Sequence, residues 1–336
     1  MKKNKFNIAI VGATGMVGRK FLEVLAERNF PIQNLYLFAS KKSDRHEIEF
    51  QNKKYIVQEL SENAINEINI DIALFSAGGS ISERYAPVFK KMKCVVIDNS
   101  SFWRMYDDVP LVVPEVNSEI IWNHKYIISN PNCSTIQGVI VLAPLHKKYK
   151  IKRIIYSTYQ AVSGAGKLGC EDLINGQKDV SPLKFKYQIF NNCIPQIDDF
   201  ITEGEYLGYT KEEMKMINET KKILGDENIK ITATTVRVPV LNSHSESVNI
   251  EFEDQFELQD VIETLKNSPG IIVKDDIENC EYPMCIDTNG KDETFVGRIR
   301  RDTTVKSGLN LWIVADNIRK GAATNAVQIA ETLIAH

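Results

Sequence analysis

The chain has no long apolar run. Its 336 residues contain no stretch of the roughly 18 uninterrupted apolar residues that a membrane helix requires. The start, MKKNKFNIAIVGATG, is basic, but its apolar run is short and ends in glycines where a signal peptide needs a longer core and a cleavage site. We therefore expect a cytoplasmic protein with no membrane partner, and we expect the first apolar run to be a strand.

An excess of charge of one sign is also missing. The 41 Lys and Arg residues nearly balance the 44 Asp and Glu residues, for a net charge of −3. Without a basic surplus, bulk electrostatics provide no attraction to nucleic acid, although local anion sites remain open. The hydrophobic content of 43% is enough for a substantial core, and the length favours two domains.

Cysteine pairs are absent as well. The chain has neither CxxC spacing nor a histidine-rich partner motif, so the sequence predicts no disulfide framework and no metal site. A reduced cytosol fits this usage, and the local context must show whether one cysteine is reactive. The six cysteines are at positions 94, 133, 170, 193, 280 and 285.

The chain has two parts that differ in their pattern of apolar residues. Residues 7–136 alternate short apolar runs with helical stretches, a pattern typical of a parallel sheet wrapped by helices. After Lys150 longer strands predict an α+β domain. Its helices are expected near 168–177, 197–203, 211–224 and 258–267. The last segment, from Asn317, carries an apolar helical stripe that we expect to cover the first domain.

Glycines mark the first turn of the chain. The apolar run that ends at Val11 leads into GATGMVG and then a helical pattern. Glycines at a strand-to-helix turn let a dinucleotide pyrophosphate approach backbone N–H groups. The spacing is GxxGxxG rather than GxGxxG, so dinucleotide binding and a tight βα turn both remain open. The candidate cofactor residues here are Gly12, Thr14, Gly15, Met16 and Val17.

The second apolar run, LFASKKS, ends without an acidic residue. An NAD enzyme places an Asp or Glu there to accept the ribose 2′-hydroxyl. Ser40, Lys42 and Ser43 instead suit a 2′-phosphate, which favours NADP. The alternative interpretation is a solvated basic loop.

Cys133 stands out among the cysteines. It follows SNPN and precedes an apolar helical pattern, so it lies at or just before a helix N-terminus. The helix dipole and free N–H groups favour a thiolate there. The alternative is a small buried side chain with a packing role.

Four further residues, two of them a pair, have two interpretations each. Arg237, on the strand face opposite to its valine neighbours, needs a carboxylate if it is interior. Glu212 and Lys215 lie three apart on a helix, and an exposed intrahelical ion pair is the simpler interpretation. His244 is either a catalytic base or a loop histidine that faces water.

Longer phrases resemble one family along essentially the whole chain. They include GATGMVG, VVIDNSSFWR, NPNCSTIQ, STYQAVSGAG, EEMKMINETKKIL, VRVPVLNSHSESV and VADNIRKGAA, in that order. Together they are similar to bacterial aspartate-semialdehyde dehydrogenases. The resemblance implies an α/β fold, with a Rossmann-type NADP-binding domain at 1–132 with 317–336. It also implies an α+β catalytic and dimerisation domain at 133–316, as in glyceraldehyde-3-phosphate dehydrogenase, and a homodimer.

The resemblance also implies a reaction. Aspartyl phosphate and NADPH give aspartate semialdehyde, NADP and phosphate, which supplies lysine, methionine and threonine biosynthesis. Cys133 corresponds to the nucleophile that forms the acyl-enzyme, His244 to the acid/base, and Gln160 to the residue that orients the acyl group. A thiolate that forms a thioester splits one hard step into two easier ones.

Other matched positions bind substrate or cofactor in the family. Arg237 corresponds to the ligand of the substrate carboxylate and Glu212 to the ligand of its amine. The phosphate ligands correspond to Arg104 and Lys215, and the cofactor contacts near the nicotinamide to Ser163, Gly164 and Asn317. Ser76, in FSAGGS, is also expected to contact the cofactor, because it lies where the carboxyl end of a strand meets the cofactor in such sheets.

Two alternatives compete with this interpretation. N-acetyl-glutamyl-phosphate reductase shares the chemistry, but its cysteine motif differs and an acetylated substrate has no free amine for Glu212. An inactive NADP-binding sensor needs no thiol, base and anion clamp, all of which are present in Cys133, His244 and Arg237.

Overall fold

The computed structural model describes residues 3–178 and 180–335. The chain divides into two compact units, the first Met1–Pro131 with Ala322–His336 and the second Asn132–Gly321. The boundaries expected from the sequence, at 132 and 317, lie one residue and five residues away from these. Each unit has its own sheet.

The first unit contains a seven-stranded sheet in the order β3-β4-β2-β1-β5-β6-β7. All neighbouring strands are parallel except β3, which is antiparallel to β4 at the edge. The strands are β1 Phe6–Val11, β2 Ile32–Ala39, β3 Glu47–Phe50, β4 Lys53–Glu59, β5 Ile72–Phe75, β6 Val95–Asp98 and β7 Ile127–Ser129. Strands β1, β5 and β6 are apolar almost throughout because helices cover both faces of a parallel sheet.

In the described part of the first unit the α-helices are α1 Met16–Glu27, α2 Glu62–Asn66, α3 Gly79–Lys91, α4 Pro114–Asn117 and α10 Thr324–Ala335. The C-terminal α10 buries Ala326, Ile329 and Ala330 in the same core as Phe21 of α1. Arg28, just after α1, forms two hydrogen bonds with the carboxylate of Glu331, at 2.8 and 2.7 Å. The apolar stripe read from the sequence therefore packs in the first unit.

The second unit contains a six-stranded mixed sheet in the order β11-β12-β13-β10-β8-β9. Its strands are β8 Ile151–Gln160, β9 Lys230–Arg237, β10 His244–Phe252, β11 Ile271–Val273, β12 Thr294–Asp302 and β13 Gly308–Ala315. Strands β8 and β9 are parallel, and their last residues, Gln160 and Arg237, are partners in the register. The antiparallel β10 begins with His244 beside these ends. Three predicted site residues thus meet at one end of the sheet.

The helices of the second unit are α5 Cys133–Tyr149, α6 Lys167–Asn175, α7 Lys211–Leu224, α8 Leu258–Lys266 and α9 Cys285–Thr288. The bounds of α7 match the predicted ones, because local signals fix both ends. Thr210 and Glu213 form a reciprocal capping box, and Gly225 ends the helix in the left-handed conformation.

The prediction of a helix near 197–203 is wrong. This segment has no regular structure and instead forms single antiparallel bridges, Ile194 with Arg237 and Phe200 with Thr210. Asp198, inside the segment, has a left-handed backbone with a φ of 68°. This opposes a helix, because a left-handed residue interrupts the helical turn.

Two searches of the described residues, 3–178 and 180–335, found nothing. None of the helices in these ranges is both long and apolar enough to span a bilayer. The same ranges hold no cluster of three or more His, Cys, Asp or Glu side chains placed to bind a metal ion. All six cysteines are free thiols.

Candidate active site

The glycine turn of the first unit is tightly packed. Gly12 has a φ of 91°, and a Cβ there would lie 2.8 Å from the carbonyl oxygen of Ser76. A Cβ on Gly18 would lie 2.1 Å from the oxygen of Gly12, so the third glycine lets α1 pack against its own turn. Gly15 begins α1 without a side-chain cap, so no side chain covers the first amides of the helix. This geometry fits a bound pyrophosphate.

The loop after β2 lies beside the glycine turn. The hydroxyls of Thr14 and Ser43 are 3.3 Å apart, within hydrogen-bond distance. Ser40 and Lys42 are exposed on the same loop, where residues 41–43 form a short 3-10 turn. Ser43 is therefore within hydrogen-bond distance of the glycine turn, and Ser40 and Lys42 belong to the same loop. The buried hydroxyl of Ser76 has no partner among the residues that the structure describes.

Arg104 is buried, not an ordinary surface arginine, with 6% of its surface exposed. Its Nε donates to the carbonyl of Asn130 at 3.0 Å, and one terminal nitrogen donates to the carbonyl of Asn99 at 2.8 Å. These two carbonyls follow the ends of β7 and β6. The guanidinium is thereby fixed at the carboxyl end of the parallel sheet.

The predicted helix start at Cys133 is confirmed, because Cys133 is the first residue of α5. Asn132 is the N-cap, and its Oδ1 accepts hydrogen bonds from the amides of Ser134 and Thr135, at 3.0 and 3.3 Å. Cys133 itself is half-buried. It lines a pocket of about 530 Å³ in the second unit that also contains Gln160, Gly164, Glu212, Lys215 and Arg237.

Glu212 is a buried carboxylate, with 4% of its surface exposed, and not the exposed helix residue of the simpler interpretation. Its Oε1 accepts from the side-chain amides of Asn132 at 2.8 Å and Gln160 at 3.2 Å, and its Oε2 from the ammonium of Lys215 at 3.0 Å. Burial raises the pKa of Glu212, but the Lys215 charge and these hydrogen bonds outweigh burial, so the pKa lies below its usual value. Glu212 is therefore charged near neutral pH.

Lys215 also contacts a residue that sequence reasoning missed. Its ammonium lies 2.8 Å from the carboxylate of Asp198, which lines the same pocket. Burial lowers the pKa of Lys215, but the charges of Glu212 and Asp198 more than offset burial, so the net shift is upward. No local sequence pattern indicates that Asp198 is a site residue, and its segment was expected to be helical.

His244 is fully buried at the start of β10, not in a solvent-facing loop. Its Nδ1 accepts a hydrogen bond from the amide of Ala161 at 2.9 Å, and its Nε2 has no partner among the residues described. Burial, with the positive charge of Arg237, holds the pKa of His244 well below its usual value. The neutral ring therefore carries its proton on Nε2, an assignment that follows from the hydrogen bond to Nδ1.

Arg237 is buried beside His244. One of its terminal nitrogens donates to the carbonyl of Ala161 at 2.7 Å. Burial lowers the pKa of Arg237, while the charges of Glu212 and Cys133 act in the opposite direction. A Cβ on Gly164 would lie 2.9 Å from the Arg237 guanidinium and 3.4 Å from Nε2 of His244, so a larger residue there would displace both.

The remaining two predicted cofactor residues lie together in the second unit. The amide nitrogen of the Asn317 side chain donates to the hydroxyl of Ser163 at 3.0 Å, and the Asn317 oxygen accepts from the backbone of Ser243 at 2.9 Å. Asn317 thus holds the turn after β8 and the residue before β10. Another missed position is Gly321, where a Cβ would lie 2.9 Å from Cβ of Cys133.

Comparisons with known proteins show which family the chain resembles. Residues 7–124 match the family model described as semialdehyde dehydrogenase, NAD binding domain, and residues 142–320 match semialdehyde dehydrogenase, dimerisation domain. An aspartate-semialdehyde dehydrogenase from Aquifex aeolicus is 55% identical, over 98% of both chains.

Solved structures are also similar. Aspartate semialdehyde dehydrogenase II of Vibrio cholerae, solved in complex with ASA, is 45% identical, with a TM-score of 0.93 over 99% of both chains. The aspartate semialdehyde dehydrogenase of Candida albicans, solved with NADP, is 25% identical, with a TM-score of 0.77 over 98% of both chains. The α/β fold, with a nucleotide-binding unit and a second α+β unit, is confirmed. By sequence and by fold, the chain belongs to the aspartate-semialdehyde dehydrogenase family.

Proposed function

We propose that the chain catalyses the NADP-dependent, reversible conversion of L-aspartyl 4-phosphate to L-aspartate 4-semialdehyde and phosphate, through a thioester on Cys133. The observation that carries the proposal is one pocket in which Cys133, at the start of α5, shares the lining with Gln160, Glu212 and Arg237. The reaction supplies lysine, methionine and threonine biosynthesis in the cytoplasm. The named relatives support the same activity.

The pocket suits a small zwitterion. Arg237 uses one terminal nitrogen on Ala161, and its planar fork has further N–H donors for the substrate's α-carboxylate. Oε1 of Glu212 already accepts two hydrogen bonds, whereas Oε2 accepts one, from Lys215, and keeps a lone pair for the substrate amine. This free-amine recognition favours aspartyl phosphate over an N-acetylated substrate.

Covalent chemistry begins at Cys133. In the reductive direction its thiolate attacks the acyl carbon, phosphate leaves, and a thioester forms. Gln160 donates one amide hydrogen to Glu212 at 3.2 Å and is positioned to orient the acyl group with the other. Hydride addition to the thioester carbon gives a tetrahedral oxyanion, which collapses to the aldehyde and releases the thiolate.

His244 acts on that oxyanion. Because Nδ1 accepts from Ala161, the neutral ring presents Nε2–H as a hydrogen-bond donor. A preorganised donor in a buried site stabilises developing negative charge strongly. We therefore assign His244 the part of hydrogen-bond donor to the substrate oxygen, rather than the acid/base role that the resemblance implies, because with Nδ1 occupied and Nε2 protonated this tautomer has no free base. Its low pKa disfavours a second ring proton.

Phosphate is bound by Arg104 and Lys215. Arg104 keeps a fixed orientation because two carbonyls hold it, and Lys215 lines the pocket with a pKa that keeps it charged. Both are cations suited to phosphate oxygens.

When bound, NADPH would supply the hydride in the reductive direction and NADP would accept it in the oxidative direction. Its pyrophosphate fits the turn from Gly12 to Val17, where the start of α1 carries no side-chain cap. Ser40, Lys42 and Ser43 are proposed to bind the 2′-phosphate, with Ser43 linked to Thr14. Ser76, Ser163, Gly164 and Asn317 complete the cofactor contacts. The match of residues 142–320 to a dimerisation domain supports a homodimer.

The first prediction concerns the nucleophile. With aspartate semialdehyde, NADP and phosphate or arsenate, the wild-type chain should reduce NADP. The formation of NADPH is measured by its absorbance. Cys133→Ala should lose at least about 1000-fold in turnover, because no thioester forms. NADP binding, measured by fluorescence titration, should be retained. A pure NADP-binding sensor would show no activity in either protein, and full activity in the variant would refute the covalent mechanism.

The second prediction concerns cofactor choice. Lys42→Glu should weaken NADP binding about 10-fold and leave NAD binding nearly unchanged, because a carboxylate repels a 2′-phosphate but accepts a hydrogen bond from a 2′-hydroxyl. Lys41→Glu, one residue earlier on the same turn, is the matched control for a general charge effect. Equal losses for both cofactors would show that Lys42 does not face the ribose.

The third prediction concerns the substrate clamp. Arg237→Lys keeps the charge but loses the planar fork, so kcat/KM for aspartate semialdehyde should fall about 100-fold while NADP affinity stays nearly constant. Glu212→Gln should act in the same way at the amine end. Arg153→Lys, on neighbouring β8, is the control.

The clamp is tested further with truncated aldehydes. An aldehyde without the α-carboxylate should be affected little by Arg237→Lys, because the missing contact was never made. An aldehyde without the amine should lose less activity to Glu212→Gln than the full substrate does, and the loss that remains reports the contacts of Glu212 with Asn132, Gln160 and Lys215. If both variants lose as much activity on the truncated aldehydes as on the full substrate, the two residues have structural roles only.

A further inference from the structure

Lys215 is held between two carboxylates. Its Nζ lies 3.0 Å from Oε2 of Glu212 and 2.8 Å from Oδ2 of Asp198. An ammonium has three N–H donors, so this arrangement leaves one for any further ligand. The two carboxylates differ in freedom. The Glu212 side chain is 6% exposed and bonded at both oxygens, whereas the Asp198 side chain is 35% exposed.

The position of Asp198 is fixed by the backbone around it. The chain before it is tied to β9 by two backbone hydrogen bonds between Ile194 and Arg237, at 2.9 and 2.8 Å. The chain after it is tied to the start of α7, where the amide of Lys211 donates to the carbonyl of Asp199 at 2.9 Å. Asp198 adopts its left-handed φ of 68° between these anchors. Such a backbone is uncommon outside glycine and clusters at functional sites.

Lys215 is outnumbered by the carboxylates that contact it directly, because Asp198, Glu212 and Lys215 together carry one net negative charge. The other cations that line the pocket are Lys184, Lys186 and Arg237. Burial raises the pKa of Asp198, but the hydrogen bond and charge of Lys215 lower it further, so Asp198 is ionised with Lys215. When a phosphate approaches the Lys215 ammonium, the Asp198 carboxylate is therefore already paired with that ammonium.

We propose that Asp198 is a specificity-determining residue for phosphate, because its carboxylate competes with phosphate for the ammonium of Lys215. The inference rests on the proposed function, in which Lys215 binds phosphate. In the reductive direction the competition promotes release of the phosphate product. In the oxidative direction it raises the phosphate concentration that the enzyme needs.

The test compares Asp198→Asn with wild type. Asparagine tolerates the left-handed backbone and keeps an oxygen that accepts from Lys215, but it lacks the charge. The apparent KM for phosphate in NADP reduction should fall about 5-fold, and inorganic phosphate alone should bind about 5-fold more tightly by calorimetry. The KM for aspartate semialdehyde should change little. Asp198→Gly, which suits the same backbone, should give the same direction if the asparagine variant folds poorly.

Two further variants separate the possible causes. Asp199→Asn removes the same charge one residue away, from a carboxylate that pairs with Lys211 at 2.9 Å, and should leave the KM for phosphate unchanged. Lys215→Met should raise it strongly. If Lys215→Met raises the KM for phosphate but Asp198→Asn leaves it unchanged or raises it, the proposed role of Asp198 is overturned. The phosphate role of Lys215 would then stand. No effect of Lys215→Met would instead contradict the proposed phosphate role of Lys215.

Discussion

The geometry of the pocket in the second unit depends on the hydrogen bonds and the ion pair that the buried Glu212 carboxylate forms. It connects the start of α7 to the N-cap of α5 through Asn132, to the end of β8 through Gln160, and to Lys215. Leaving a buried charge without its partner costs about 3 to 5 kcal/mol, so the folded chain strongly favours keeping all three contacts. Because Asn132 also caps the helix that begins with Cys133, the same carboxylate positions the nucleophile.

Local sequence signals predicted much of the fold. The alternation of apolar runs predicted the parallel sheet of the first unit, and the helix expected near 211–224 is α7, whose ends are set by the Thr210 cap and Gly225. The apolar pattern after SNPN predicted a helix start at or just before Cys133, and the structure adds the local cause, because Asn132 is the N-cap. In each case the signal lies within a few residues of the feature that it specifies.

Contacts between distant segments could not be predicted in the same way. The burial of Glu212 depends on residues about 50 and 80 positions earlier in the chain. His244 is buried at a strand end rather than exposed in a loop because the polar sequence around it pairs with β8 and β13. The close contacts at Gly164 and Gly321 cannot be predicted from the sequence, because they join segments that are far apart in the chain. The segment 197–203 was expected to be a helix, but backbone bridges to β9 and to the residue before α7 keep the chain around it extended.

The covalent role of Cys133 is the central claim, and a rapid-mixing experiment without phosphate tests it most directly. Aspartate semialdehyde and NADP should give a burst of NADPH of no more than one equivalent per chain, followed by near arrest, because the thioester lacks its acceptor. Peptide mass spectrometry of the stopped enzyme should find the acyl group on the peptide that contains Cys133. Sustained NADP reduction at the burst rate without phosphate, or the acyl group on another residue, would contradict the account.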